Sequence, residues 1–572
     1  MSVTPDIDEN GTACAGSSSR GYWLAITTLL LIPAILGAWS ASVWTPTHDE
    51  YWHLPLGLYA LRTGDARPDP INPPLVRMWA ALPLWLGGVF SGEVTFPAKD
   101  AYAVGDAFQR AHPEDHREQF LTGRLMMLPF GMLGGVIVVW WARHWWGDAA
   151  GLLAAALWCG CPILLAHAAI VAHDFPATVA TLAVLVATLK DRERLHAFGS
   201  FLIGGLIGLA CLIKFSALIL LGITPLCWWI LPRSNTVTIR QAVLALAKML
   251  CAWWVVLHIG YLADSLNGQP LPSLPWHLAW LPRGFVHGVD ALRATLKVPH
   301  PVYLDGEWSL MGFRTYYVMA LLYQLPLGLY GCLLLAVFLA LKDRGDAIER
   351  RRLIALVVVM FAVLIPASLS RNQLGLRYVM PAVPLLILLA ARAARQWSDA
   401  GSPRRIAVLL MAGLALASLR YHPHHLSYFN EFAGGPERGY THLVDSNLDW
   451  GQDLHALHDY LHDHPADEPL HLAYFGTASP AMLGIDYRFP PAPQPQPGRY
   501  AISVNFVAGR PHMLRDLNGR ERMVALDEFA PFRFFTPKAR MGYSIFYYEL
   551  SPEDVARYHR ERERMLREFG GR

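Results

Sequence analysis

The chain has 572 residues, of which 53% are hydrophobic and only 16% charged, with 20 tryptophans and a formal net charge of +3. Soluble proteins carry about a quarter charged residues, so this composition excludes an ordinary soluble globule and indicates a mainly α, polytopic membrane protein. The charge lies in short clusters between apolar runs and gives no basic face for nucleic acid, which is not expected as a partner.

In chain order, residues 1–21 are polar and read as a disordered cytoplasmic N-terminus, followed by an apolar run too long for a signal-peptide core. Runs of spanning length begin near Tyr22, Thr122, Ala149, Phe175, Gly199, Phe215, Ala242, Tyr316, Leu353, Leu376 and Ile406. They predict about eleven transmembrane helices across residues 22–420. Leu54–Arg62, Leu75–Phe90 and Leu271–Trp280 are apolar but short or proline-broken, and are expected to lie in the interface.

Basic residues fall in every second connection: Arg143, Lys190 to Arg194, Arg233 with Arg240, Lys342 to Arg352, and Arg392 to Arg405. The positive-inside rule makes these connections cytoplasmic. The outer loops are then residues 44–121 and 264–315, the breaks at His167–Asp174, Lys214 and Ser370–Gly375, and everything after Arg420. From 421 to 572 the apolar runs shorten. Leu470–Phe475, Tyr500–Phe506 and Tyr543–Leu550 read as strands, and Asp453–Leu461 reads as a helix. This predicts an extracytoplasmic α/β domain, with an extended proline-rich segment at 490–497 and a solvated helical tail from Pro552.

Of the seven cysteines, six lie in or beside apolar runs and none lies beyond Cys332, which excludes a disulfide-stapled C-terminal module. Cys159-Gly160-Cys161 lacks the spacing of a redox or zinc pair.

The chemistry-bearing residues gather on the outer side. His48-Asp49-Glu50-Tyr51-Trp52-His53 places two carboxylates and two imidazoles at the end of the first span, where charge is costly unless it faces water, a partner or a substrate. Asp49 could act as a general base or simply cap the following helix. His48, Glu50 and His53 could hold a divalent metal, though they lack the paired-histidine spacing of zinc proteases, and interfacial roles are the alternative. Asp174 opens a span on the same side, as either a charge-tuning partner or a helix start. Lys214, Arg371 and Arg377 sit at outer helix ends, where they suit a lipid phosphate; a snorkelling Lys214 is the plainer reading. Asn72-Pro73-Pro74-Leu75 is a turn by composition. Asp445–Asp453 is dense in carboxylates and amides, either a ligand site or a surface turn leading into a helix.

These residues in this order resemble the GT-C class of membrane glycosyltransferases. The elements that match are Asp49-Glu50 after the first helix, the interfacial helices, the Asn72 turn, the outer Asp174 and Arg377-Tyr378-Val379-Met380-Pro381. The nearest relatives are the dolichyl-phosphate-mannose–protein mannosyltransferase-like family and its bacterial branch related to lipid A aminoarabinose transferase. Tyr428–Glu431, Asp445–Asp453 and Gly542–Ile545 look like the outer domain of bacterial members. The resemblance implies a bacterial inner-membrane enzyme that transfers a sugar, with inversion, from a polyprenyl-phosphate donor to a protein, lipid or glycan acceptor at the periplasmic face. It implies Asp49 as base, Glu50 and Asp174 in support, Lys214, Arg371 and Arg377 on the lipid phosphate, His48, His53, Asn72 and Tyr378 in the substrate region, and no metal required. The chain departs from the eukaryotic pattern, which continues His-Phe-Gly here, and it has no MIR-type repeats. The competing expectations are a polyprenyl-lipid flippase, which would place charge near mid-bilayer in paired broken helices, and a membrane-anchored glycan-assembly subunit.

Overall fold

The computed structural model describes residues 16–89, 101–191, 195, 197–231, 237–266, 274–342, 347–396, 402–491, 494–516 and 520–569. The expectations for residues 1–15, 90–100, 192–194, 233, 271–273, 343–346, 397–401, 492–493 and 570–572 lie outside these.

The first third of the chain forms α1 (Gly16–Val43), α2 (Glu50–Thr63), α3 (Leu75–Leu86), α4 (Ala101–Ala111), α5 (His116–Leu125), α6 (Leu128–Trp146), α7 (Asp148–Cys159), α8 (Pro162–His167) and α9 (Asp174–Asp191). Each of the eleven apolar runs is helical, but their lengths differ. Among the described residues four helices are long and apolar enough to cross a membrane: Arg20–Val43, His116–Trp146, Ile239–Gly260 and Ala347–Leu369. Leu75–Leu86, Asp148–Cys159, Phe198–Ile213 and Phe215–Ile230 are shorter apolar helices. The two expected interfacial segments of the first loop form α2 and α3, and Gly57 lets them meet closely, because a Cβ there would lie 2.0 Å from the Arg77 carbonyl oxygen. Among the described residues of the third segment, Trp276–Leu278 is helical, and Trp276 is exposed.

Tyr316–Gln324 and Leu327–Lys342 form one apolar pair bent by 106°. Pro326 forces Leu325 into extended backbone (ψ 141°), which ends the first helix. The Asn430 amide repairs the break by donating to the carbonyls of Leu322 (2.6 Å) and Leu325 (2.8 Å). The Tyr428–Glu431 segment thereby ties the region after residue 421 to the helical bundle.

Among its described residues that region carries five strands in one mixed sheet: β3 (Leu470–Ala473), β4 (Tyr487–Arg488), β5 (Gly498–Ser503), β8 (Ala539–Met541) and β9 (Ile545–Leu550), in the order β4-β3-β5-β9-β8. β3 runs parallel to β4 and β5, whereas β9 pairs antiparallel with β5 and β8. Two hairpins lie outside it, β1 (Val302–Leu304) with β2 (Glu307–Ser309), and β6 (His512–Arg515) with β7 (Glu521–Val524). Leu454–Asp463 packs its apolar face on the sheet, and Pro552–Phe569 presents alternating charges to solvent.

Polar features separate to the two ends of the bundle. At one end the buried Glu349 is paired by Arg392 (2.8 Å) and by Arg395, beside the Trp146 indole. At the other end α1 stops, α2 and α9 start, and the sheet region docks on them. Backbone bonds Thr45 N–H to Gln452 O (2.8 Å) and His48 N–H to Trp450 O (2.7 Å) make that docking continuous.

Candidate active site

Asp49 immediately precedes α2, yet its side chain makes no capping hydrogen bond. Its Oδ2 instead accepts from Arg377 Nη1 at 2.7 Å, across 328 positions of sequence. The same nitrogen lies 3.6 Å from Asp174 Oδ2, and Asp174 Oδ1 is paired to Lys214. Two carboxylates and two cations from four separate elements thus form one neutral cluster.

Local sequence places each member. Lys214 breaks two apolar helices, Ala197–Ile213 and the turn beginning at Phe215, in extended conformation (φ −153°, ψ 130°). It does not snorkel outward; it turns to Asp174 and lies 4.9 Å from the Tyr378 ring. Arg377 follows Gly375, whose φ of +114° suits glycine and whose added Cβ would lie 2.5 Å from Ser446 Oγ. That close approach brings Arg377 under Trp450, with the guanidinium carbon 4.2 Å from the indole centroid.

The two aspartates are not equivalent. The Asp174 side chain is 5% exposed and both its oxygens face cations, whereas the Asp49 side chain is 21% exposed. Among the described residues nothing donates to Asp49 Oδ1. Burial works to raise the Asp49 carboxyl, but the Arg377 guanidinium, helped by His53 and His48, outweighs it and holds the group below the usual carboxylate range. Asp49 is therefore an ionised carboxylate with one oxygen available.

Glu50, expected in support of Asp49, is closed off by a partner of its own. Its carboxylate is fully buried and accepts from Arg124 Nε (2.9 Å) and Nη2 (2.7 Å), and from the backbone N–H groups of Thr47 (2.9 Å) and Val171 (2.8 Å). Arg124 also donates to the carbonyls of Ala41, Trp44 and Thr45. The pair locks the end of α1, the start of α2, α5 and the turn before α9 into one joint. Glu50 therefore fixes the backbone next to Asp49, with its own carboxylate fully engaged within the fold.

His53 and His173 meet edge to face with ring centroids 4.6 Å apart, His53 Nδ1 contacting Val171 O and His173 Nε2 contacting Pro73 O. His48 points elsewhere: it stacks on Phe475 (5.3 Å) and meets the Tyr102 hydroxyl at 3.2 Å. The three residues considered as metal ligands hold different partners, and among the described residues no group of three His, Cys, Asp or Glu side chains is arranged to hold a metal. Asn72 donates to Asp69 (3.0 Å), which also pairs with the buried Arg77 (3.2 Å), so it braces the loop and does not join the cluster. Arg371 is exposed at the start of its turn and does not join it either.

Asp445–Asp453 is not a surface turn. Every residue in it is buried, Asp449 at 0% and Trp450 at 1% exposure, because it is the seam between the sheet region and the bundle. Asp445 (φ 62°) pairs with Arg510, which lies 5.0 Å from the Phe475 ring. Arg124 and Arg510 are the site residues that sequence reasoning missed, and Trp450 was named only as part of the Asp445–Asp453 segment. A lone arginine beside an apolar run was the available signal for Arg124; Arg510 carried none.

No protein-family model matches the sequence, and no curated protein matches it. Among solved structures, the chain is similar to ArnT from Cupriavidus metallidurans in the apo state, with 15% identity and a TM-score of 0.46, covering 72% of this chain and 65% of that one. It is similar to the same protein bound to undecaprenyl phosphate, with 13% identity and a TM-score of 0.46, over 89% of this chain and 98% of that one. A third similar structure is the apo oligosaccharyltransferase of Archaeoglobus fulgidus, with 13% identity and a TM-score of 0.37, over 89% and 75% of the two chains.

Proposed function

We infer that the chain is an inverting glycosyltransferase of the periplasmic membrane face, moving a sugar from a polyprenyl-phosphate donor to an acceptor hydroxyl or amine. The observation that carries this reading is the Asp49–Arg377–Asp174–Lys214 cluster at the helix ends, with Asp49 its one accessible carboxylate. A carboxylate beside two cations suits a reaction in which a nucleophile loses a proton and a phosphate leaves.

Lys214 and Arg377 take the donor phosphate by charge-assisted hydrogen bonds. As the phosphate engages Arg377, the guanidinium's hold on Asp49 weakens, and the Asp49 carboxyl becomes a better base when the donor is in place. Asp49 accepts the acceptor's proton, the acceptor atom bonds to the anomeric carbon, and the bond from that carbon to the phosphate oxygen breaks on the opposite face. The leaving polyprenyl phosphate departs with its charge already countered. Asp174 keeps Lys214 and Arg377 in register, Tyr378 flanks both cations, and Glu50 with Arg124 fixes the backbone that presents Asp49. No step calls for a metal.

The test is Asp49→Asn expressed in a deletion strain, with lipid and glycan mass spectrometry. Transfer is expected to vanish while the variant still inserts and binds polyprenyl phosphate. A wild-type glycan profile in that strain would sink the assignment.

A further inference from the structure

Away from the charged cluster, the bundle carries a crevice that the reaction above does not use. Its walls are α1 and the helix Ser402–Arg420, and its floor is α7. It holds about 810 Å³, within the roughly 300–1,000 Å³ common for small-molecule sites. Sequence sets its shape. On Ser402–Arg420, residues Arg404, Val408, Met411, Ala415 and Leu419 recur at helical spacing and line one wall, while Ala149, Ala156 and Gly160 keep the floor low.

The crevice is closed at one end and open at the other. At the Asp49 end Ser40 Oγ donates to Pro423 O (3.2 Å), the Trp39 and His422 rings meet edge to face at 5.3 Å, and Ser418 Oγ donates to Gly160 O. These contacts draw both walls and the floor together. From there the crevice runs back to Arg404, roughly 24 Å from Arg420 at 1.5 Å per residue. The Arg392–Gln396 turn, which holds Glu349, packs against the same helix, so the mouth lies at the end of the bundle away from Lys214 and Arg377. Arg404 is the one charged residue in the lining. It is exposed and, among the described residues, holds no ion pair; Asp148, at the start of α7, is taken by Arg143 at 2.6 Å.

These properties discriminate between occupants. The apolar walls offer a sugar or a nucleotide nothing to bond with. A neighbouring transmembrane helix, 10–12 Å across, would fill about 1,400 Å³ or more over the length of α7, well beyond the space present. A flexible hydrocarbon chain fits, and the exposed Ile32, Val408 and Leu419 open the crevice sideways to the bilayer. A chain gains little by leaving other chains, so selection falls to packing and to the headgroup. An unpaired arginine at the mouth supplies that selection through charge-assisted hydrogen bonds to phosphate. No carboxylate lines the mouth to receive a cationic headgroup, which favours an anionic lipid.

We propose that the crevice binds an anionic phospholipid of the leaflet opposite the reaction, with one acyl chain between α1 and Ser402–Arg420 and the phosphate on Arg404. The lipid braces the helix that leads into the Tyr428–Glu431 tie between bundle and sheet region. The site is separate from the donor phosphate and does not depend on the glycosyltransferase reading.

The experiment uses the purified full chain in detergent. Native mass spectrometry counts retained phosphatidylglycerol and phosphatidylcholine, and a phosphatidylglycerol with a photoactivatable acyl chain locates the site. Wild type and Asp49→Asn are expected to hold phosphatidylglycerol equally, and about tenfold more tightly than phosphatidylcholine. Arg404→Gln should erase that preference, the equivalent of about 1.4 kcal/mol, and Arg404→Lys should restore most of it. Label is expected on Asp148–Cys159 and Ser402–Arg420, and should fall in Ala412→Trp, which fills the crevice from its exposed side. Arg404 is exposed, so its variants report even where Ala412→Trp misfolds. An unchanged preference in Arg404→Gln would overturn the proposal. So would label confined to other segments, its displacement by polyprenyl phosphate, or a second polypeptide crosslinked in the crevice.

Discussion

The Arg377 guanidinium carbon lies over Trp450, 4.2 Å from the indole centroid. Arg377 belongs to the bundle and Trp450 to the seam that carries the sheet region, so this contact closes the charged cluster from above. Its neighbours keep it aligned: His48 N–H donates to Trp450 O, and Trp450 N–H donates to the Gln452 side chain at 2.8 Å. The sheet region is therefore part of the site's wall, and removing it would leave Arg377 open to water.

A direct consequence concerns Trp450→Ala. The cation–π contact is worth roughly 0.5–2 kcal/mol, and its loss frees Arg377 to take other rotamers. Transfer is expected to fall by about one order of magnitude, while Trp450→Phe keeps most of it. In vivo glycan mass spectrometry with matched protein levels distinguishes this from misfolding. Equal activity in Trp450→Ala and wild type would contradict the closing role.

Arg377 also sets the charge state of Asp49. Because the guanidinium holds the Asp49 carboxyl below the usual range, removing it lets burial push that carboxyl upward. A base works when deprotonated, so activity is lost as pH falls through its pKa. In Arg377→Gln the acidic limb of the pH–rate profile should therefore move to higher pH, alongside a loss of about two to three orders of magnitude in rate from weakened phosphate stabilisation. Arg377→Lys keeps the charge but not the planar guanidinium that packs on Trp450 and sets Nη1 between the two aspartates, and its profile should stay nearer the wild type's. An unmoved acidic limb in Arg377→Gln would mean that Asp49 is not the titrating base.

How much of this was legible in the sequence depends on the range of the interaction. Hydropathy is local, so all eleven apolar runs and the three strand segments could be read; helix lengths could not, because breaks such as that at Pro326 depend on Asn430 to repair them. Asp49, Asp174, Lys214 and Arg377 stood out because each is a charge at the edge of an apolar run. Their pairing was not visible, since it joins positions up to 328 apart. The partner of Glu50 was hidden for the same reason: a carboxylate looks identical in sequence whether it faces a substrate or Arg124. The seam at Asp445–Asp453 looked like a solvated turn because its composition is polar, and only its docking on the bundle buries it.

The Glu50–Arg124 joint gives a stability prediction. Each partner is almost fully buried, and the pair satisfies backbone groups from three segments, so removing one member strands a buried charge. Glu50→Ala or Arg124→Ala is expected to destabilise the chain by about 3–5 kcal/mol, visible as a lower thermal midpoint in detergent and reduced membrane abundance. Glu50→Gln, which keeps one acceptor oxygen but loses the charge and turns an NH2 toward two donors, should fall between. A Glu50→Gln variant with wild-type stability and no transfer would instead restore a chemical role for Glu50.

Asp449 gives a prediction of opposite electrostatic sign. It is fully buried in the seam; burial first, and the neighbouring Asp453 next, push its carboxyl up to about 7, against the Gly451 N–H that stabilises its charge. The unfolded group ionises near 3.8. Between those values the folded chain keeps a proton that the unfolded chain has lost, so stability falls as pH rises through that window and is level on either side. Each unit corresponds to about 1.4 kcal/mol, making the seam weakest above pH ~7. Asp449→Asn has nearly the same shape and no titration. Its thermal midpoint should exceed that of the wild type at alkaline pH and converge with it toward pH ~4, measured on the full chain in detergent across that range. A constant difference at every pH would show that Asp449 does not titrate in the seam.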